Sequence, residues 1–214
     1  MKENGALQDL RPADIEKRSF EIISEEMGDV ELDPLEAPII KRVIHTSADF
    51  DYLENLVFSP GAAEKGMEAI LAGATIVTDT RMAQAGINKT AAEKFGCRVI
   101  CFIGDEDVKE AAQREGTTRA VAAVKKAAAL QGPLIFAVGN APTALLQLEQ
   151  LIREGSLQPE LIIGVPVGFV NVVESKEKLL CSSIPHIVAK GRKGGSNVAA
   201  AICNGLLYQC GGRD

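Results

Sequence analysis

Two groups of residues could do most of the chemistry open to this 214-residue chain. The first is a histidine, one of only two. His45 lies in "KRVIHTSADFDYLENLVFSP", at the end of a helical stripe made of Leu35, Ile39, Ile40, Val43 and Ile44. The partial negative charge at a helix C-terminus favours the imidazolium form, while Lys41 and Arg42 oppose it. A ring held between such influences suits the giving and taking of a proton near neutral pH. By position alone, a histidine that packs at a helix end is the commoner case. His186 follows Pro185 at the start of an apolar run and reads as structural.

The second group is the loop "KGRKGGSN", which sets Lys190, Arg192 and Lys193 beside Gly191, Gly194 and Gly195, with Ser196 opening a helix. Glycines let a ligand approach the backbone, and the cations favour an anion. Neither G-x-x-x-x-G-K-[ST] nor G-x-G-x-x-G is present, so the loop is neither a P-loop nor a dinucleotide fingerprint. Arg81 in "DTRMA" and Arg119 in "EGTTRAV" could add charge, although each alone reads as a surface arginine. There is no G-x-S-x-G elbow and no acidic cluster of the phosphoryl-transfer kind. The five cysteines form no C-x-x-C, and neither histidine has ligand spacing with one, so no protein metal site is expected.

These residues need elements to hold them. Five apolar runs read as buried strands: "TIVTD" (75–79), "CRVICFI" (97–103), "LIFAV" (134–138), "LIIGV" (161–165) and "HIVAK" (186–190). Helical stretches separate them, including "SPGAAEKGMEAILAGA", with Ser59 as cap and Pro60 at the first position, and an Ala-rich region broken at Gly116. Strand and helix alternation implies right-handed crossovers and a parallel sheet covered on both faces. The expected fold class is α/β: a three-layer α/β/α sandwich in one domain over residues 1–214, with a mostly parallel, about five-stranded sheet. Two N-terminal helices form an appendage, the first opening at Asp9 or Pro12 and closing at Gly28. In such sheets ligands bind outside the carboxyl ends of the strands. Those ends are "DTRMAQAG", "GDED", "GNAPTA", "PVGFVNVVESK" and "GRKGGSN".

Composition narrows the function classes. The chain is 46% hydrophobic but only 4% aromatic, with no Trp, so its core must be built from Ala, Val, Ile and Leu. A net charge of −6 argues against a general nucleic-acid binder but permits an anionic small molecule held by local basic loops. The N-terminus lacks a signal-peptide core, and no apolar run could span a membrane. The expectation is a soluble cytoplasmic protein with no nucleic-acid or membrane partner.

The segments "RSFEII", "KRVIHTSADFDYLENLVFSPGA", "ATIVTDTRMAQAGI", "VGNAPTALLQL", "GVPVGFVNVVESKEKL" and "GRKGGSNVAAA", in that order, resemble the precorrin-8X methylmutase family of cobalamin biosynthesis. The resemblance runs from about residue 12 to residue 208. It implies an isomerase that moves a methyl group from ring carbon 11 to ring carbon 12 of a corrinoid. The product is hydrogenobyrinic acid, or cobyrinic acid where the substrate carries cobalt. It implies His45 as the proton carrier and Ser19 and Arg42 as substrate contacts. Arg119, Asn140, Ser175 and the loop residues Gly191, Arg192, Gly194, Gly195 and Ser196 would line the pocket. It further implies no external cofactor, and a homodimer with the site near the subunit boundary. Phe169 and Val170 could face the macrocycle. Thr46-Ser47-Ala48 and then "DFDY" follow the histidine where aerobic members often carry a small residue and glycine. This tilts the expected substrate toward cobalt-precorrin-8. Two other readings stand beside this one: a corrinoid carrier without turnover, and an unrelated nucleotide-binding domain disfavoured by the missing phosphate fingerprints.

Overall fold

A computed structural model describes residues 11–212, so Asp9 lies outside the described residues. Helix α1 (Pro12–Met27) starts with its proline in the first turn, where a missing N–H costs nothing, and ends at Gly28. Helix α2 (Ala37–Ser47) follows, then a single turn, α3 (Tyr52–Asn55). The rest of the chain alternates: β1 (Leu56–Phe58), α4 (Ala62–Leu71), β2 (Thr75–Thr78), α5 (Arg81–Gly86), α6 (Lys89–Glu93), β3 (Arg98–Ile100), α7 (Glu106–Glu115), α8 (Arg119–Ala128), β4 (Leu134–Val138), α9 (Pro142–Arg153), β5 (Leu161–Gly164), α10 (Val172–Leu180), β6 (His186–Ala189) and α11 (Ser196–Leu207).

The six strands form one sheet in the order β1-β6-β5-β4-β2-β3. All neighbours run parallel except β1, which pairs antiparallel with β6, Leu56 opposite Ala189. Residues β2, β4, β5 and β6 are buried on both faces, which explains their unbroken apolar runs. One face, with Ile76, Ile135, Ile163 and Ile187, packs on α2, α4, α5, α6 and α11. The other, with Val77, Phe136, Ile162 and Val188, packs on α8, α9 and α10. The expected three-layer sandwich with a mostly parallel sheet is the observed architecture.

Three details differ from the sequence reading. The sheet carries a sixth strand, β1, whose three residues are too few for any alternation to declare itself. Ser59 does not cap α4: Gly61 holds the cap position in the left-handed region, at φ 72°, and the Ser59 hydroxyl instead accepts the His186 N–H at 2.8 Å. Helix α2 is embedded in a layer, while α1 lies over it. Ile39, Ile40, Val43 and Ile44 are buried, each worth roughly 1.5–3 kcal/mol relative to exposure. The contact with α11 is close, because a side chain on Gly205 would meet Ile39 Cγ1 at 3.1 Å. That embedding fixes the helix that carries His45. His186 is structural as expected: it is buried, and its Nδ1 lies 2.8 Å from the Ile184 carbonyl.

Candidate active site

The carboxyl ends of the parallel strands converge where α2 ends and α11 begins. Asp79, directly after β2, is buried and accepts the N–H groups of Gly139 at 2.9 Å, Asn140 at 2.8 Å and Ala141 at 2.7 Å. Burial pushes its carboxyl upward and the three amides pull it back. Next to it, Thr80 caps α5 by accepting from Ala83 N–H, and its hydroxyl lies 2.7 Å from that of Ser196. Gly139 has no room for a side chain, since a Cβ would stand 2.7 Å from Ser196 Cα. The turn after β4 therefore packs backbone to backbone on the head of α11.

The Gly-rich loop after β6 lies against β5. A side chain on Gly194 would overlap the Val165 carbonyl, and Gly195 N–H donates to that same carbonyl at 2.9 Å. Beneath the loop sits Lys176 of α10, only 1% exposed, with its Nζ donating to the carbonyls of Gly191 at 2.9 Å and Lys193 at 2.8 Å. Burial lowers its pKa to about 8. The N–H groups of Arg192, Lys193, Gly194, Ser196, Asn197 and Val198 find no acceptor among the described residues. This cluster of free donors, with the positive end of α11 behind it, suits an anion.

The loop's cations differ in their engagements. Lys193 donates to both Asp49 and Asp51 at 2.6 Å, which raises its pKa and clasps the loop to the segment just after His45. Arg192 lies over the ring of Phe169, 5.3 Å from its centroid. Phe169 and Val170 stand about four-fifths exposed at the tip of the neighbouring loop, at 81% and 78%.

His45 occupies the last turn of α2, which closes at Ala48 in the left-handed region. Its ring stacks on Phe20 of α1, centroids 5.1 Å apart and planes within 14°. One turn earlier, the Arg42 guanidinium sits 5.1 Å from the Phe20 ring, 4.6 Å from the Tyr208 ring and 3.3 Å from Glu16. Burial, and then the Arg42 charge, hold the His45 pKa below its usual value, so the neutral imidazole prevails at pH 7. The leading influence is burial, which residue order alone does not show; of the two flanking cations, Arg42 adds to the downward shift. Two open clefts meet at His45. One, of about 430 Å³, is shared with Ser19, Ile23, Ala48 and Phe50. The other, of about 200 Å³, is shared with Arg42, Thr46, Gly86, Asn197 and Asn204.

Ser19, Arg42 and His45 are thus brought together. Ser19 lines the larger cleft while its hydroxyl donates to Ile15 O at 2.9 Å. Gly191, Arg192, Gly194, Gly195 and Ser196 form the anion-suited loop. Asn140 is exposed at the strand ends, but its own N–H is spent on Asp79. Arg119 opens α8 in the opposite helical layer, in a separate depression beside Lys109, Gln113 and Thr117. Ser175 departs from expectation: it is 1% exposed, and its hydroxyl donates to Val172 O within α10, so it presents nothing to the crevice. The residue of that helix that reaches the loop is its neighbour, Lys176.

Asp79, Lys176 and Phe20 escaped the sequence reading. A signal existed for Lys176. Val172, Ser175, Lys176 and Leu179 are spaced i, i+3, i+4, i+7, which puts a lysine on the buried stripe.

Among the described residues no group of three or more His, Cys, Asp or Glu side chains could hold a metal ion, and no helix is long and apolar enough to cross a membrane. The fold and site define an α/β sandwich with an anion-suited strand-end loop and an accessible, mainly neutral histidine. The sequence profile of the precorrin-8X methylmutase family matches residues 14–209. The chain is 48% identical to the cobalt-precorrin-8 methylmutase of Salmonella typhimurium, over 92% of this chain and 95% of that one. It is 46% identical to the protein of the same name from Priestia megaterium, covering 92% and 88% of the two chains. A solved structure, described as crystal analysis of the precorrin-8X methyl mutase from Thermus thermophilus, superposes with a TM-score of 0.84 at 42% identity, covering 92% of this chain and 98% of that one. The chain belongs to the precorrin-8X methylmutase family, whose members are isomerases that transfer a methyl group within one molecule.

Proposed function

We propose that this chain converts cobalt-precorrin-8 to cobyrinic acid by moving the methyl group from ring carbon 11 to ring carbon 12, with His45 as the proton carrier. The observation that carries the reading is the setting of His45: it meets two open clefts, stacks on Phe20, lies one turn from Arg42 and is mainly neutral at pH 7. The names of the relatives support the cobalt-bearing substrate, as does "TSADFDY" after the histidine.

The methyl shift needs the electron distribution of the macrocycle changed, and protonation at a ring position does that. The minority imidazolium form of His45, charged from solvent, is a stronger acid than usual and gives its proton readily to the macrocycle, and the neutral ring that remains takes it back after migration. Ser19 and Arg42 beside it hold the substrate so that the ring position meets the imidazole. The carboxylate arms meet the free N–H groups of Arg192, Lys193, Gly194, Ser196 and Asn197 and the Arg192 guanidinium, while Phe169 and Val170 cover an apolar face. In this reading Asn140 and Arg119 make outlying contacts at the strand ends. No resident cofactor takes part, because cobalt arrives inside the substrate. The chain works in the cytoplasm as a homodimer, with a second copy near the His45 clefts.

The test is the visible spectrum of the protein mixed with cobalt-precorrin-8 and, separately, with precorrin-8X. A shift to the spectrum of the corrin product is expected with the cobalt form. Binding of both without conversion would make the chain a carrier.

A further inference from the structure

Lys176 is buried in α10, yet it makes no ion pair among the described residues; both hydrogen bonds of its ammonium go to backbone carbonyls of one loop. Desolvating an ammonium is costly. A lysine used only to fill this space could be replaced by a methionine of similar length without that cost. The geometry shows what the cation achieves. The carbonyls of Gly191 and Lys193 both turn onto one point beneath the loop, 2.9 and 2.8 Å from Nζ. With those carbonyls turned inward, the N–H groups of Arg192, Lys193 and Gly194 are left without acceptors among the described residues. Gly191, Gly194 and Gly195 have φ values of 71°, 154° and 138°, which let the chain follow this path.

We propose that Lys176 is a positioning residue for substrate binding: its ammonium pins two carbonyls beneath the Gly-rich loop and so aims the loop's amides and Arg192 at a carboxylate arm of the substrate. It touches neither the substrate nor the reacting atoms. This assignment rests on the reading that the loop holds the arms of an anionic corrinoid. Lys193 adds a second tether from the opposite side through Asp49 and Asp51, so the loop is held both from beneath and from the segment after His45.

The test compares Lys176→Met, Lys176→Gln and Lys176→Arg by steady-state conversion and by crystal structure. Lys176→Met is expected to raise KM about tenfold or more while kcat moves by less than about threefold, since only binding geometry is lost. Lys176→Arg should restore most of the affinity. In the Met variant the Gly191 and Lys193 carbonyls should part and the loop should shift. A folded Lys176→Met protein with unchanged KM, or with its loop in place, overturns the proposal. Should the Met variant fail to fold, Lys176→Gln, which keeps a donor but no charge, is read by the same criteria. Absence of turnover in the unmodified protein would overturn the functional reading instead. The loop structure in the variants would still decide the role of Lys176.

Discussion

Two turns at the same sheet edge are each held from beneath by one buried charge, and the charges have opposite signs. Under the turn after β4, the Asp79 carboxylate gathers three amides: Gly139, Asn140 and Ala141. Under the loop after β6, the Lys176 ammonium gathers two carbonyls: Gly191 and Lys193. The anion consumes the N–H groups of its turn. The cation consumes carbonyls and leaves N–H groups free. Of these two turns, the second leaves more backbone N–H groups free for an anion, even though both are glycine-containing strand ends leading into a helix. The glycine pattern alone does not distinguish a turn whose amides are spent on the fold from one whose amides stay free; the sign of the charge beneath does.

The largest effect should come from breaking the fold-locking side. Asp79→Ala leaves three amides without an acceptor, at about 1–3 kcal/mol each where they stay buried. It should therefore cost several kcal/mol of unfolding free energy, measured by urea denaturation. A loss under about 1 kcal/mol would mean that the turn holds itself. Next comes Gly194→Ala, whose Cβ would overlap the Val165 carbonyl on a backbone at φ 154°. A displaced loop and a loss of roughly 1–3 kcal/mol are expected, with weakened substrate binding by spectral titration. On the side proposed to hold the substrate, Arg192→Ala should weaken affinity by about tenfold, as for one charge-assisted hydrogen bond, with little change in melting temperature. Equal affinity would return the loop to a solvated turn.

The smallest expected effect is a pH slope. Burial holds His186 below its usual pKa, and burial with Arg42 does the same for His45. Each folded-state pKa is therefore lower than the unfolded value of about 6.5. Neither histidine makes stability depend on pH well above that value. As pH falls through it, the unfolded chain binds protons first and stability declines. Melting temperature should fall between pH 7 and pH 5, and His186→Gln should flatten part of that slope.

The sheet was legible in the sequence because its inner strands are buried on both faces and read as unbroken apolar runs. "LIFAV" matches β4 residue for residue. Strand β1 was not legible, because three residues beside a helix turn carry no period. Helix α2 looked like an appendage because its stripe declares burial but not the partner, which is α11, some 150 residues later in sequence. Of the candidate site, His45, Arg42, Ser19 and the Gly-rich loop are suggested by residue type and resemblance, and their roles belong to the proposed function. Ser175 and Lys176 could not be told apart by proximity in sequence, since one faces its own helix backbone and the other reaches across to a loop. Asp79 stayed hidden because its partners are backbone amides some 60 positions away, which no residue type announces.

The proposed division of labour gives His45 the proton for the methyl shift and other groups the binding. It is tested most directly by single-turnover visible spectra of the unmodified protein and His45→Ala with cobalt-precorrin-8, alongside substrate affinity. Conversion should slow about 10²–10⁴-fold in His45→Ala, with affinity nearly unchanged. Conversion at the unmodified rate in that variant would contradict it.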